Sequence, residues 1–239
     1  MAKYPLLVIM LLAAVLAGGC GTDGTSDQAP TSSAPPVTTP DGISLLGLTD
    51  GRTLSYLVTD TVTQLYPNYV VDVATSSLNL SISGTDQDWQ IKHDSIPVLN
   101  MKVTANAVLY NGYWQGIAGQ DSLFYFSAPP ITMMKDFDET SSWEGYCPSF
   151  ADSARVFYNA YFGFYFTKNY FGIERLYLPA GEFDAYRFDV RLFDSEQKRD
   201  VVITLTEHYA PGVGLVQLTL RGGALVRTLS LIDVTDPVH

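Results

Sequence analysis

The sequence contains very little cysteine, histidine and positive charge. Among 239 residues there are two cysteines and three histidines, and 14 Lys and Arg stand against 25 Asp and Glu, for a formal net charge of −11. The basic footprint that nucleic-acid phosphates require is therefore missing. The same acidic surface disfavours flat docking on anionic lipid. We predict no nucleic-acid partner.

Sequence signatures of catalysis and of metal binding are also missing. There is no HExxH motif, no paired histidine spacing, no acidic calcium loop and no GxSxG nucleophile elbow. His93, His208 and His239 lie far apart in the chain. Glu207 is adjacent to His208, but neighbouring strand residues point to opposite faces unless the strand is bulged. We predict a protein that is not an enzyme and that holds no metal and no cofactor.

No apolar run reaches the roughly 20 residues that a membrane-spanning helix needs. The longest run, PLLVIMLLAAVLA, follows Lys3 and leads into the small residues Gly18 and Gly19. A basic residue, a short apolar core and small residues before a cleavage site are typical of a secretory signal peptide. We predict a signal peptide over residues 1–19. Its removal leaves the mature chain one charge unit more acidic.

The residues from Leu16 to Cys20 resemble the lipobox of bacterial lipoproteins, in which an aliphatic or small residue and two small residues precede a cysteine. Ala17 stands where leucine is commoner. The resemblance implies cleavage between Gly19 and Cys20, with a diacylglyceryl thioether and an acylated amine on the cysteine; two or more acyl chains anchor a protein stably. Gly21, where aspartate would mark inner-membrane retention, implies the outer membrane, facing the periplasm or the cell surface. The alternative is an ordinary secreted protein.

The tract after Cys20 is rich in Pro, Gly, Ser and Thr. Val37 is its only larger apolar side chain, and such a composition cannot bury enough surface to offset the entropy of ordering. A coil of this length spans on the order of 25–30 Å. We predict that residues 20–42 form the lipidated cysteine and a disordered tether, and that residues 43–239 form one domain.

Period-two alternation dominates the chain after residue 50 and predicts antiparallel strands with one wet face. The stretch FDAYRFDVRLFD alternates apolar Tyr186 and Phe188 with charged Arg187 and Asp189. The remaining strands are expected at 52–62, 76–83, 98–104, 107–115, 123–127, 173–178, 201–209, 214–220 and 224–234. Asp152–Asn159 is compatible with a helix. The predicted fold is mainly β, a single curved antiparallel sheet that is half-barrel or sandwich-like, with little helix.

Three glycine-containing turns separate these strands. LPAG at 178–181 and APGVG at 210–214 each place proline at a turn start and glycine where φ must be positive. RGGA at 221–224 is compatible with a tight hairpin.

The first two turns lie in the segments YLPAGEFDAYRFDV and EHYAPGVGLVQL, which resemble a motif pair in bacterial envelope proteins. These include uncharacterised periplasmic domains and the TapB-like family associated with type IV pili. The matched turn residues are Pro179, Gly181, Pro211, Gly212 and Gly214. The resemblance implies a curved antiparallel sheet, akin to the half-barrel of lipoprotein-carrier proteins, and transfers a fold rather than an activity.

The segment RVFYNAYFGFYFTKNYFG, residues 155–172, is the densest aromatic feature. Alternation places Phe162, Phe164 and Phe166 on one face and Tyr161 and Tyr165 on the other. A strand covered on both sides has this appearance, and core packing is the first interpretation. The alternatives are rings that line an apolar cavity and an exposed patch for a partner.

With Cys20 lipidated, Cys147 has no disulfide partner within the chain, and we expect it to be buried and inert. Together these features predict a lipid-anchored, non-enzymatic envelope protein that supports envelope or surface-structure assembly through protein–protein contacts. The alternative is a periplasmic carrier that holds an apolar ligand on an aromatic-lined sheet face. An enclosed apolar pocket of several hundred Å³ favours the carrier, whereas a filled interior with an exposed patch favours the assembly protein.

Overall fold

The structure is a computed structural model that describes residues 41–64, 69–93, 96–117, 120–125, 129–147, 164–194 and 196–237. The chain divides into two units, residues 1–37 and 38–239, and every described residue belongs to the second. The predicted signal peptide, Gly19, Cys20, Phe162 and the segment 152–159 lie outside the described residues.

Nearly all of the described chain is β-strand. The elements are α1 (Gly42–Leu45), β1 (Thr53–Gln64), β2 (Val70–Thr85), β3 (Asp88–His93), β4 (Ile96–Val103), β5 (Ala107–Ile117), β6 (Gln120–Tyr125), β7 (Ile131–Met134), β8 (Ser142–Cys147), β9 (Phe164–Leu178), β10 (Gly181–Phe193), β11 (Val201–Ala210), β12 (Gly214–Gly222) and β13 (Leu225–Thr235).

The strands form one antiparallel sheet that curls into a nearly closed barrel. The order is β6-β5-β4-β3-β2-β1-β13-β12-β11-β10-β9-β8. β7 pairs with the first residues of β5 and also lies against β8, so the two ends of the sheet approach each other. The predicted fold class, a curved antiparallel sheet with little helix, is confirmed. The sequence left a half-barrel and a sandwich-like form open, and the sheet forms a nearly closed barrel.

Bulges supply much of the curvature. The register shifts by one residue between Arg187 and Phe188 where β10 meets β9, and between His208 and Tyr209 where β11 meets β12. Each extra residue bends its strand and increases the local twist. Because these bulges lie in long strands, the sheet turns back on itself instead of extending flat.

The core occupies the interior of the barrel. The apolar residues that alternation predicted to share a face are buried there, among them Tyr56, Phe188 and Leu205. α1 covers one end of the barrel, which we call the base. Asp41 caps this helix by accepting a hydrogen bond of 2.8 Å from the Ile43 backbone N–H, and Leu45 is fully buried. Gly42, the last residue of the predicted tether, is the first residue of α1.

The observed elements differ from the predicted ones in several places. β2 begins six residues earlier than expected, and the sequence analysis did not predict β3, β7 or β8. The predicted strand at 173–178 is the last part of β9. The RGGA hairpin is displaced by one residue, because Gly222 pairs with Leu225 and the turn consists of Gly223 and Ala224.

Candidate functional site

The first ten residues of β2, 70–79, which we call the β2 edge, form a border of the sheet. β1 pairs with this stretch along its whole length, whereas β3 pairs only with Leu80–Thr85. Among the described residues, no strand pairs with the other side of the β2 edge. The backbone there presents hydrogen-bonding groups that a further strand can use.

Side chains on both faces of the β2 edge are exposed as far as Ser77. Val71 and Val73 lie on one face and are 45% and 62% exposed. Natural sheet edges are usually protected by lysine, proline, a bulge or a covering segment. The stretch VVDVATSSLN contains no lysine and no proline, and Asp72 is its only charged residue. Within the described part of the chain, the β2 edge is therefore an open template for strand addition.

The far end of the β1–β2 hairpin is held in place from its other side by β13. Arg227 donates two hydrogen bonds of 2.7 Å each to the two carboxylate oxygens of Asp60. The hydrogen bond from Arg227 lowers the pKa of Asp60, and the nearby positive charge adds to this effect against the opposing influence of burial. The β2 edge thus belongs to a supported sheet and not to a loose loop.

The β2 edge and the start of the domain lie at opposite ends of β2. The segment that begins at Asp41 lies at the base, where the Gly51 N–H donates to the carbonyl of Ile82 near the end of β2, at 2.9 Å. Ten strand residues separate Val70 from Leu80, which corresponds to roughly 33 Å. The segment that begins at Asp41 and the first residues of the β2 edge therefore lie at opposite ends of the domain.

The APGVG turn is fastened to the base by Arg52. This buried guanidinium donates to the carbonyls of Gly212, Gly47 and Val213 and forms a two-pronged ion pair with Asp236, with distances of 2.6 and 3.2 Å. Gly47 has a φ of +58°, and a Cβ there would lie 2.2 Å from the Val213 carbonyl oxygen. Pro211, Gly212 and Gly214 thus belong to a turn whose contacts are structural.

The LPAG turn joins β9 to β10 and lies against β13. The Ala180 N–H donates to the Leu231 carbonyl at 3.3 Å. Gly181 adopts a φ of +135°, where L side chains are strained. Pro179 and Gly181 therefore shape the tip of a hairpin that packs on the sheet.

A charged pair lies inside the barrel, where sequence analysis had not placed one. Lys168 Nζ is 2.6 Å from Glu207 Oε2, and the two side chains are 1% and 3% exposed. Lys168 also donates to the Thr132 carbonyl at 3.1 Å, and the Tyr209 hydroxyl donates to Glu207 at 3.2 Å. The rings of Trp143, Phe188 and Tyr209 surround Nζ, at 5.1–5.7 Å from their centroids.

Each charge of this pair is compensated by the other inside the core. Breaking a buried ion pair leaves an uncompensated charge, whereas each partner here has oriented hydrogen bonds and the ammonium has aromatic faces. With both groups buried, neither reaches a surface from which a substrate could approach. A sequence signal did exist: Lys168 continues the alternation of Phe164 and Phe166, so it was in phase with the inward face.

Glu207 and His208 lie on opposite sides of β11, as expected for adjacent strand residues. Glu207 binds Lys168 inside the barrel, whereas His208 Nε2 lies 2.9 Å from Glu174 Oε2. Burial opposes ionisation of Glu174, but hydrogen bonds from Arg187 and His208 outweigh it and lower the pKa of that carboxyl. The two neighbours therefore do not form one acid–base site.

The described part of the aromatic segment packs into the core. Phe166 is fully buried, and Phe164 is half-buried against the core. Tyr165, on the other face, packs against Tyr146 with tilted rings whose centroids are 4.5 Å apart. One enclosed cavity in the described part of the barrel, which contacts Tyr110 and Tyr209, measures about 20 Å³, which is room for about one water molecule. The side chain of Cys147 lies outside the described residues.

A larger but open groove lies at the base, beside α1. Its volume is about 270 Å³, and Ile43, Leu48, Trp89 and Val103 supply its apolar lining. Within the described ranges there is no group of three or more His, Cys, Asp or Glu side chains placed to hold a metal ion. None of the described helices is long and apolar enough to cross a membrane.

No protein-family profile and no curated protein matches the sequence. Seven solved chains resemble the fold. A candidate lipoprotein from Parabacteroides distasonis is 12% identical with a TM-score of 0.38, over 83% of this chain and 100% of that one. A β-barrel-like protein of a domain of unknown function from Brucella abortus is 8% identical with a TM-score of 0.42, over 78% and 97%. A LolA superfamily protein from Nitrosomonas europaea is 7% identical with a TM-score of 0.34, over 84% and 96%. Similarity at this level concerns the fold and carries no argument about activity.

Proposed function

We propose that the protein is a lipid-anchored, non-enzymatic component of a bacterial cell envelope that binds a protein partner by strand addition at the β2 edge. The β2 edge itself is the observation that carries this proposal. It combines open backbone hydrogen-bonding groups with exposed valines, and it contains no lysine or proline and only one charged residue, Asp72, of the kinds that usually prevent such pairing. Backbone hydrogen bonds supply affinity in this mode, and alternate side chains supply selectivity.

The lipobox resemblance supports the membrane anchor. Cys20 with two or more acyl chains binds a bilayer stably, and residues 21–40 have the composition of a flexible linker. The described chain begins at the base of the barrel, and the β2 edge begins at the opposite end of β2. This arrangement suits a protein that presents a binding strand to other envelope components, in the outer membrane facing the periplasm or the cell surface.

A carrier of an apolar ligand is the second candidate, and the base groove is the observation that favours it. At about 270 Å³ the groove lies just below the roughly 300–1,000 Å³ that ligand pockets occupy, and it is open to solvent. The enclosed cavity of about 20 Å³ is far too small for an acyl chain. Native mass spectrometry of the purified protein separates the two functions, since stoichiometric co-purifying lipid would favour the carrier.

The anchor is tested by metabolic labelling with radioactive palmitate and by membrane fractionation. We expect wild type to incorporate label and to sediment with membranes, and Cys20→Ser protein to lose the label. Failure of wild type to take up label would remove the lipid anchor from the proposal.

The binding surface is tested by photo-cross-linking in living cells. A photoreactive amino acid is placed at Val73 on the β2 edge, and the control position is Val201, an exposed valine of β11. We expect an adduct of increased mass from position 73 and none from position 201. No adduct from position 73, or equal adducts from both, would contradict strand addition at the β2 edge.

A further inference from the structure

Building on the proposed use of the β2 edge for binding, we infer that its occupant is the β2 edge of a second copy of this chain. The pairing is antiparallel and two-fold symmetric, so one self-complementary surface serves both copies. It joins the two barrels through a continuous sheet at their far ends.

The residue pattern of the β2 edge suits pairing with itself. Its first half is apolar, with Val70, Val71 and Val73, and its second half is small and polar, with Thr75, Ser76 and Ser77. Antiparallel pairing centred on Ala74 places the apolar half of each copy against the polar half of the other. Val73 then faces Thr75, a cross-strand pair of β-branched residues of the kind that stabilises a sheet, and Val71 faces Ser77.

The charges also permit self-association, although the chain carries a net charge of −11. Asp72 is the only charged residue of the β2 edge, and in this register it faces Ser76 of the other copy. The two Asp72 positions are then four residues apart along the strands, about 13 Å, beyond the Debye length of roughly 10 Å at 0.1 M salt. On the neighbouring strand, Asp60 lies opposite Ala74 but is neutralised by Arg227.

The position of the β2 edge is compatible with two anchored copies. Because the edge is remote from Asp41, two-fold pairing directs the bases of the two barrels in opposite directions. Tethers spanning on the order of 25–30 Å allow both copies to remain in one membrane. Pairing of nine residues from each copy is a small interface, and anchoring in a shared membrane raises the effective concentration of the partner strand. Association is therefore favoured on membranes over dilute solution.

The experiment uses full-length lipidated protein in liposomes that contain no other protein. Two populations with different affinity tags are mixed, both with the photoreactive amino acid at Val73, and adducts that carry both tags are quantified. Val71→Lys introduces charge at the β2 edge, and Val201→Lys is the matched control, because both valines are 45% exposed. We expect a doubly tagged adduct that falls about fivefold or more with Val71→Lys and is unchanged with Val201→Lys.

A second variant tests whether a loss of adduct reflects misfolding of the first. Ser77→Lys changes the residue that faces Val71 of the other copy, and we expect the same loss of adduct while the circular dichroism spectrum stays that of wild type. Absence of a doubly tagged adduct in liposomes, or equal loss with Val201→Lys, would overturn the inference.

The same photoreactive position in cells separates this inference from the proposed function. An adduct only with a different envelope protein would reject the second copy as occupant and would keep strand addition as the function. No adduct of any kind in cells would reject both.

Discussion

Two regions of the molecule reverse the usual distribution of side chains. One is the barrel wall, which is formed by β9, β10 and β11, and the other is the β2 edge. The wall buries two charged groups, Lys168 and Glu207, whereas the β2 edge exposes Val71 and Val73. Charged residues are almost never fully buried unless they are paired, and here both find partners inside. Among the described residues, no strand continues the sheet beside the valines, which are therefore exposed. Whether a side chain is buried in this protein therefore depends on how many elements surround it, and not on its polarity alone.

The largest expected effect comes from breaking the charged pair in the wall. Glu207→Gln leaves the Lys168 ammonium buried without a counter-charge, and we expect the free energy of unfolding to fall by about 3–5 kcal/mol. The double variant Lys168→Met with Glu207→Leu removes both charges and should regain most of this loss. Urea denaturation of the three proteins measures both quantities. A single variant as stable as wild type would show that the pair does not stabilise the wall.

The same substitution in both regions sharpens the comparison. Val190→Thr buries a hydroxyl at a position that is 1% exposed, and we expect a cost of about 1–3 kcal/mol. Val73→Thr makes the same chemical change on the β2 edge and should alter the free energy of unfolding by less than about 0.5 kcal/mol. Urea denaturation of the two variants measures both changes. Similar losses in the free energy of unfolding would indicate that the β2 edge is covered in the isolated protein.

Glycine positions allow a related contrast between an enclosed and an open site. Gly47 at the base and Gly223 in the β12–β13 turn have φ values of +58° and +56°, but only Gly47 has the backbone of Val213 where a Cβ would lie. Gly223→Ala should cost about 1–2 kcal/mol from backbone strain alone. Gly47→Ala should cost more, and the difference between their thermal midpoints reports the contact with the APGVG turn. Equal costs would mean that the APGVG turn can shift to accommodate the added methyl group.

The smallest effect is expected at low pH. The folded-state pKa values of Asp60, beside the β2 edge, and Glu174, in the wall, are lowered. Each therefore contributes stability above its unfolded-state pKa that is lost as the pH falls through its folded-state pKa. Asp60→Asn and Glu174→Gln should each flatten the decline in stability below about pH 4 by less than about 1 kcal/mol. Urea denaturation at pH 7 and pH 3 measures this, and an unchanged slope would dismiss the ion pairs as contributors.

Much of the sheet was predictable, because a strand that is buried on one face shows its period in the sequence. β10 has this pattern, and Tyr186 and Phe188, which alternation placed on its apolar face, are buried inside the barrel. The first half of β2 was missed for the opposite reason: both of its faces are exposed as far as Ser77, so no alternation marks it.

The interior pair shows a different limit. Lys168 and Glu207 both lie in phase with apolar neighbours, so the period indicated that they point inward. A lone charge in an apolar face nevertheless has no visible partner in a sequence. Here 39 residues and the strand β10 separate the two, and only closure of the barrel places Nζ 2.6 Å from Oε2.

By itself the sequence determined the direction in which strand side chains point, the positions of the LPAG and APGVG turns, and the expectation of a lipidated Cys20. Each of these depends on spacing over a few residues, where backbone geometry acts directly. Tertiary structure alone decided that the sheet closes into a barrel, that a lysine and a glutamate meet inside it, and that β2 is left with an open border. These depend on which distant strands become neighbours, and no local spacing encodes that choice.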